Sequence, residues 1–447
     1  MGGVNIKIAI VGWCEQGRSA CRYWNPDEHE IVVHSLVRPA DLPVGVRHID
    51  GPDHVRALRG GGYDKVLRVP IVHPEEFNLS DGRAVASEKV TTATDEFLRA
   101  WQRSRVIGVT GTKGKSTTSA LIARLIAATG AAVRTGGNNG TSPLDLLTSA
   151  SAAGEWVVLE LANFQLIDLD SRIPNMVLLP VDLDHLDWHR SEQEYLDVKF
   201  RPLSAQCADD WAFMHESHRS RSQTRQALSR RVFYPGSDTA HVREGWVFFG
   251  EYRVIPVDRL AIPGVHNLIN VCAALTTAIT LLGWHQEFVD VLESFAGCAH
   301  RLEKIPGASD LCWVDDSAAT TPAAAAAALR TVSIPMVIIL GGSDKALSWS
   351  PLLEAMVWAR SAGRLRAAIT VGAVACGLAD AIYDRLPGLP VITVTPPGRM
   401  DMAVDAARSL ASPGDCVLLS PGFASLDQYE SYSHRSEEFR KSAAGAD

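Results

Sequence analysis

Lys115 and Ser116 stand at the end of the run Val106-Ile-Gly-Val-Thr-Gly-Thr-Lys-Gly-Lys-Ser-Thr-Thr118. Two branched residues lead into a glycine-rich turn, and the helix-forming stretch Ala120-Leu-Ile-Ala-Arg-Leu-Ile-Ala-Ala128 follows. This reads as a strand, a phosphate-cradling loop with Gly108 and Gly114 as its framing glycines, and a helix N-terminus. Gly111 and Gly114 let backbone N–H groups close on phosphate oxygens, and the helix start adds partial positive charge. Thr112 and Thr117 lie in the same turn. Lys115 then reaches the outer phosphates of a nucleoside triphosphate, and Ser116 offers its hydroxyl to magnesium. A chance glycine turn ahead of a helix is the competing reading, and the strand-turn-helix context argues against it.

That loop needs a scaffold, and 447 residues are more than one hydrophobic core organises, so two or three domains are expected. Residues 5–12 form an apolar strand ending at Gly12, with Gly17 ahead of a helix. This has the form of a Rossmann opening in which Cys14 occupies the middle glycine of Gly-x-Gly-x-x-Gly. Strands at 30–34 and 65–69 complete a small α/β domain over 1–102. The loop opens a central doubly wound domain over 103–297, continued by strands at 156–160 and 176–179. Segments 231–234 and 246–249 suggest a short antiparallel addition, and a helix over 267–282 leads out. Strands at 311–314, 336–340, 368–371, 391–394 and 416–419 alternate with helical stretches, including 323–328, in a third, Rossmann-like domain over 298–447. The expected class is α/β with three domains.

Hydrophobic residues make up 46% of the chain and charged ones 21%, ordinary for a water-soluble globular protein. A net charge of -8 argues against a nucleic-acid or membrane-surface partner, either of which favours a basic face. Small anions must therefore be held by local groups. Eight cysteines show neither a C-x-x-C spacing nor a disulfide framework and read as reduced thiols of a cytoplasmic protein. The N-terminus lacks a signal-peptide cleavage pattern, and no run approaches the ~20 apolar residues that span a bilayer.

Further stations follow the loop in order. Glu160 ends a strand in Leu159-Glu-Leu-Ala-Asn-Phe-Gln-Leu166, His185 lies in Asp182-Leu-Asp-His-Leu-Asp-Trp-His189, and Lys199 closes Tyr195-Leu-Asp-Val-Lys199. Then come His266-Asn267-Leu-Ile-Asn270, His300-Arg301-Leu-Glu303, Asp315-Asp316-Ser317-Ala-Ala-Thr320 and Leu419-Ser-Pro-Gly-Phe-Ala-Ser-Leu-Asp-Gln428. Each station is weak alone. As an ordered series they resemble the ATP-dependent Mur ligases of peptidoglycan synthesis, and within them the branch that adds D-glutamate. The resemblance runs from about Val106 to Phe439, and the first hundred residues share it only in outline.

The resemblance implies an N-terminal domain for a UDP-N-acetylmuramoyl-L-alanine-like acceptor, a central domain for ATP and a C-terminal domain for glutamate. Such a ligase phosphorylates the acceptor carboxylate and lets the amine displace phosphate. Catalysis of that transfer is mainly positioning and charge neutralisation. By likeness, Lys115 contacts the β and γ phosphates, Ser116 and Glu160 hold one magnesium ion, and His185 ligates a second. Lys199 matches the lysine that is carbamylated in the family, which would place a carboxylate-like group near the metals; a solvated helix lysine is the plainer alternative. Asn267, Asn270, Arg301 and Asp316 match nucleotide-binding positions, although helix caps and a surface ion pair are the competing readings. Thr320, Lys345, Ser425, Leu426 and Tyr432 stand where the amino-acid pocket would be, and Asn138 in Gly136-Gly-Asn-Asn-Gly140 where the acceptor would be met. The family also implies a monomer.

Differences from the family pattern bear on the substrates. Ala318 replaces a lysine, Ala162 and Asn163 replace two serines, Ser35-Leu36 replaces a uridine-contacting pair, and Arg68-Val-Pro-Ile71 replaces a Ser-Pro-Gly turn. Lys113, at a position commonly asparagine, is a candidate replacement for the missing charge. A Mur-type ligase for another amino acid, such as L-glutamate, or another acceptor therefore stays open, as does a nucleotide-binding relative without turnover. Retention of Lys115, Ser116, Glu160, His185 and Lys199 argues against the last.

Overall fold

The computed structural model describes residues 5–39, 41–77, 90–101, 105–147, 154–182, 188–262, 264–307, 310–344, 348–395 and 399–445. Two compact units, Met1–Ala296 and Gly297–Asp447, divide the chain. Both are built on parallel sheets flanked by helices.

The first unit opens with strands β1 (Lys7–Val11), β2 (Glu30–His34), β3 (Arg47–Ile49), β4 (Lys65–Arg68) and β5 (Val90–Thr91) in the order β3-β2-β1-β4-β5, all parallel. Helices α1 (Glu15–Trp24) and α2 (Ala93–Trp101) belong to this layer. Helix α1 begins two residues before Gly17, so that glycine lies inside the helix and packs close to the Gly12 carbonyl. Ile8, Ala9, Ile10 and Val33 are wholly buried, which explains why these strands read as continuous apolar runs.

A six-stranded sheet follows, with β6 (Val106–Thr110), β7 (Val133–Gly137), β8 (Trp156–Glu160), β9 (Asn175–Leu178), β10 (Trp211–His215) and β11 (Arg230–Tyr234) in the order β11-β10-β9-β6-β8-β7. The expected antiparallel role of residues 231–234 is corrected here. They form a parallel edge strand beside β10, because the crossover through α6 (Ser222–Gln226) returns the chain in the same direction. The antiparallel addition is instead β12 (Ala240–Arg243), β13 (Trp246–Phe249) and β14 (Tyr252–Pro256).

Helix α3 (Lys115–Ala128) buries Leu121, Ile122, Leu125 and Ile126 and packs against α7 (Val265–Leu282). Each such side chain contributes roughly 1.5–3 kcal/mol, which anchors the helix whose N-terminus faces the loop. The short α4 (Asn163–Leu166), α5 (Glu192–Ser204) and α8 (Glu287–Ser294) complete the unit.

Arg68, at the end of β4, is 0% exposed. Its Nε and Nη2 donate to the Asp168 carboxylate at 2.7 and 2.6 Å, and Nη2 also donates to the Phe164 carbonyl at 3.0 Å. Nη1 donates to the carbonyls of Val69, Pro70 and Val72. Nearby, Trp188 Nε1 donates to the Ile71 carbonyl at 3.2 Å, His73 lies against the Trp188 ring and Arg190 pairs with Glu75. The turn that replaces Ser-Pro-Gly is thus tied to the segments that follow β8 and precede α5. Arg68→Met should destabilise the fold by about 3 kcal/mol, because it strands a carboxylate and several carbonyls together. Urea unfolding measures this, and a midpoint equal to that of the parent would refute it.

The second unit holds β15 (Glu303–Ile305), β16 (Cys312–Asp315), β17 (Met336–Gly341), β18 (Leu365–Val371), β19 (Val391–Thr393) and β20 (Cys416–Leu419) in the order β15-β16-β20-β17-β18-β19. Only β15 runs antiparallel to its neighbour. Helices α9 (Pro322–Thr331), α10 (Ser350–Ser361), α11 (Ala375–Arg385), α12 (Met400–Leu410) and α13 (Tyr432–Ala444) cover the sheet. The alanine run at 323–328 lies within α9, with Thr321 as its N-cap accepting from the Ala324 N–H.

Candidate functional site

The glycine-rich turn joins β6 to α3, as its sequence requires. Gly108 lies inside β6 and is not a framing residue, so the frame falls to Gly111 and Gly114. Gly114 is the residue before α3 and has a φ of 84°, in the left-handed region that favours glycine. A Cβ there would overlap Asn270 Oδ1. Asn270 in turn accepts from Thr118 Oγ1 at 3.3 Å and donates from Nδ2 to Asn267 Oδ1 at 2.9 Å. Asn267 and Asn270 therefore do not cap α7, whose N-cap is Gly264; they brace the start of α3. Thr112 is held by the Asp182 carbonyl at 2.8 Å and by the Tyr195 hydroxyl at 2.9 Å. Ser116 and Thr117 are half-buried in the first turn of α3, and Lys113 points into solvent.

Two lysines converge on one carbonyl. Lys115 Nζ donates to the Gly111 and Thr112 carbonyls at 3.1 and 2.8 Å, and Lys199 Nζ donates to the same Gly111 carbonyl at 3.0 Å. Lys199 is 1% exposed and also contacts Thr110 Oγ1 at 3.4 Å, so the solvated-lysine reading does not hold. Helix α5 delivers it together with Tyr195, one turn earlier on the same face. The Glu160 carboxylate sits at the C-terminal end of β8, in register with Val109 on one side and Gly137 on the other. Its Oε1 accepts from Asn138 Nδ2 at 3.0 Å, and the Asn138 N–H donates to the Glu160 carbonyl at 2.8 Å. Its Oε2 is buried and, among the described residues, has no hydrogen-bond partner. A buried carboxylate oxygen left open beside a phosphate loop is chemically suited to a hard divalent cation. His185 and Lys345 lie outside the described residues.

The two-residue departure after Glu160 has a structural counterpart. Asn163 is 2% exposed, and its Nδ2 lies 2.8 Å from His189 Nε2, while His189 Nδ1 lies 3.0 Å from Glu194 Oε2. The buried amide and imidazole and the half-buried carboxylate form a chain tying α4 to α5. The alternation of polar residues in the stretch 182–194 was the signal for it, but which pairs meet depends on the fold.

In the second unit, Asp316 follows β16 and is 7% exposed. It accepts from Ser420 Oγ at 2.6 Å and from the Leu302 N–H at 3.2 Å, yet burial pushes its carboxyl up to about 7. Arg301 is exposed between His300 and Leu302, whose φ angles of 61° and 46° are left-handed. Asp315 is fully buried and accepts from Ser436 and Arg440 and pairs with His300. Burial raises its carboxyl, but these partners outweigh burial and hold it below the usual range. His300, Glu303 and Asp315 have the donor set of a cation site, but Arg440 Nη2 already bonds both carboxylates, at 2.5 and 2.9 Å. That cluster is an ion-pair knot fixing the turn that carries Arg301.

The raised Asp316 carboxyl has a stability consequence. In the unfolded chain it ionises near 3.8, whereas in the fold it stays neutral to about 7. Folding is unpenalised below the lower value, loses free energy as pH rises between the two, and stays penalised above the upper one. Asp316→Asn should therefore leave Tm unchanged at pH 4 and raise it at pH 8. Calorimetry across that range checks the sign; a larger gain at pH 4 would contradict it.

Arg435, on α13, was not singled out by sequence and is 0% exposed. It donates to Ser317 Oγ at 3.1 Å and to the carbonyls of Ser317, Phe423 and Gly341 at 2.9, 3.1 and 3.4 Å. These three segments lead to Thr320, Ser425 with Leu426, and position 345, while Ser317 Oγ also donates to the Tyr432 carbonyl at 2.8 Å. Thr320 and Tyr432 are half-buried, Ser425 is buried and Leu426 is exposed. Burial among carbonyls pulls the Arg435 guanidinium down to about 10.

The sequence matches the family described as Mur ligase middle domain over residues 109–278 and that described as Mur ligase, glutamate ligase domain over 300–423. It is 34% identical over 350 residues to a UDP-N-acetylmuramoylalanine--D-glutamate ligase of Symbiobacterium thermophilum, spanning 76% of this chain and 75% of that one. It is 31% identical over 450 residues to the enzyme of the same name from Solibacter usitatus, spanning 98% of each. Among solved structures, UDP-N-acetylmuramate-alanine ligase from Thermotoga maritima aligns with a TM-score of 0.56 at 16% identity, over 97% of this chain and 98% of that one. The MurF ligase of the same organism in complex with ADP gives 0.53 at 16%, over 94% and 96%. At those identities the structures speak for the fold.

Proposed function

From the chain's membership of the Mur ligase family, we propose that it joins D-glutamate to UDP-N-acetylmuramoyl-L-alanine at the expense of ATP, releasing ADP and phosphate. The observation that carries this reading is the meeting of Lys115 and Lys199 on the Gly111 carbonyl, with the open Glu160 Oε2 at the end of a neighbouring strand. The acceptor carboxylate is a poor electrophile at neutral pH. Transfer of the γ-phosphoryl group makes it an acyl phosphate, which the glutamate amine attacks as phosphate leaves. The chain's part is placement and charge. N–H groups of the loop and the α3 N-terminus cradle the phosphates, and Lys115 swings from its carbonyls to the β and γ oxygens. Asn270 and Thr118 hold the loop's shape for them.

Magnesium fits the open Glu160 Oε2: Ser116 and Glu160 would hold one ion, while His185 and a carbamylated Lys199 would hold a second. It would supply neutralisation of phosphate charge. Carbamylated, Lys199 would bring a carboxylate in place of an ammonium. Asn138 orients Glu160 and would meet the acceptor. Residues 1–102 take the acceptor, 103–297 the nucleotide, with Arg301 and Asp316 contributing from 298–447. Thr320, Lys345, Ser425, Leu426 and Tyr432 form the amino-acid pocket, in which Lys345 pairs with a substrate carboxylate. The working unit is a monomer in the cytoplasm; no described helix is long and apolar enough to cross a membrane.

The test is phosphate release from ATP with UDP-sugar acceptors crossed against D- and L-amino acids. Turnover confined to UDP-N-acetylmuramoyl-L-alanine with D-glutamate supports the assignment. Turnover with L-glutamate or another acceptor redirects it, and ATP hydrolysis indifferent to both substrates overturns it. Lys345→Ala should raise KM for the amino acid about tenfold or more, the effect of losing one charged hydrogen-bonded contact, with little change in KM for ATP. Equal shifts in both constants would remove Lys345 from the pocket.

A further inference from the structure

Cys312 opens β16 and Cys416 opens β20, and the two are register partners on neighbouring parallel strands. Adjacent strands lie about 4.8 Å apart, inside the ~4.4–6.8 Å Cα separation that a disulfide bridges. Register partners project from the same face of the sheet, which sets the two thiols side by side. Both are reduced. Their surroundings differ: Cys416 is fully buried in the core beneath the sheet, whereas Cys312 is only half-buried at its margin.

We propose that Cys312 and Cys416 are a reversible oxidation site, at which hydrogen peroxide reacts first with Cys312 and Cys416 then resolves the product to an intrachain disulfide. In the first step the Cys312 sulfur attacks one peroxide oxygen and the O–O bond breaks. Cys312 becomes a sulfenic acid, and the departing hydroxide leaves as water after taking a proton. In the second step the Cys416 sulfur attacks the Cys312 sulfur, the S–O bond breaks, and the released hydroxide takes the Cys416 proton as a second water. Two thiols are oxidised and one peroxide is reduced to two waters.

The division of roles follows from the contact. The neighbouring Cys416 thiol and the Lys304 ammonium draw the Cys312 thiol below its ordinary range, although burial works against it. The same contact and burial push Cys416 up. The thiolate is the reactive form, so the half-exposed partner is the attacker. The other six cysteines lie outside the strands, so none has a cysteine as its register partner. Burial raises Cys14, Cys21 and Cys272, the last to about 12. Cys376 is exposed and lies on α11, outside any strand pairing. The pair stands at the N-terminal ends of its strands, about 10 Å along β16 from Asp315 at ~3.3 Å per residue. The bond therefore forms away from the Asp316 end of the sheet.

The intact enzyme would be treated with limiting hydrogen peroxide and analysed by thiol counting and peptide mapping. Two of the eight thiols should disappear together, the mass should fall by two hydrogens, and a Cys312–Cys416 linked peptide should precede any other disulfide. Dithiothreitol should reverse it. Cys416→Ser should halt at a sulfenic acid on Cys312 that dimedone traps, and Cys312→Ser should leave Cys416 unoxidised. A first disulfide elsewhere, or direct passage of Cys312 to sulfinic acid while Cys416 stays free in the unsubstituted protein, overturns the proposal without bearing on the ligase reaction.

Discussion

Lys115→Ala is expected to lower acceptor-dependent phosphate release by about 10²–10³-fold, the range seen when one preorganised cation or donor is taken from a charged transition state. The ammonium sits 2.8–3.1 Å from two loop carbonyls and is only half-buried, so its loss should cost little stability. Solvent can serve those carbonyls. The variant should therefore keep the parent's Tm and bind ADP with modest weakening, while single-turnover phosphoryl transfer collapses. A fall below tenfold in phosphate release, with Tm unchanged, would mean that another group neutralises the γ-phosphate. Lys113 is then the natural candidate, and Lys113→Asn would show it by losing turnover.

Lys199→Ala should remove most activity, by about 10²-fold or more, and added bicarbonate should not restore it. Lys199 is buried beside the Gly111 carbonyl and Thr110. An ammonium so placed would oppose cations at Glu160, whereas a carbamate would join them. Carbamylation needs the amine, so carbon dioxide has nothing to react with in alanine. Bicarbonate should instead raise the activity of carbon-dioxide-depleted parent enzyme, which separates the chemical role from packing. Alanine also leaves a cavity, so Tm must be measured alongside. A variant as active as the parent sinks the role, and a parent enzyme indifferent to carbon dioxide depletion sinks the carbamate alone.

Strands Glu30–His34, Trp156–Glu160 and Cys416–Leu419 were legible to the residue, because buried parallel strands write themselves as short branched runs. Strands β3, β7 and β10 are not legible in the sequence. The first is short and polar, the second ends in two glycines and the third begins with tryptophan and ends with histidine, so none carries such a run. The segment 231–234 had a strand's composition, but its direction depends on the crossover before it. Asn163 and Ala162 looked like lost hydroxyls; the structure shows the asparagine engaged with His189. Arg68 reads in the sequence only as part of a replaced turn, and the fold makes it a buried clasp to Asp168.

By itself the sequence determined the glycine-rich turn, the helix behind it and the ligase family, because these are written in consecutive residues and in an ordered series of short motifs. Tertiary structure alone decided which distant groups complete the loop. Asn138 meets Glu160 across 22 residues, and Thr118 meets Asn270 across 152. Those contacts exist because the strand order sets β8 between β6 and β7, and because the apolar faces of α3 and α7 must bury against each other. Side-chain chemistry names the candidates, and only burial brings them to one place.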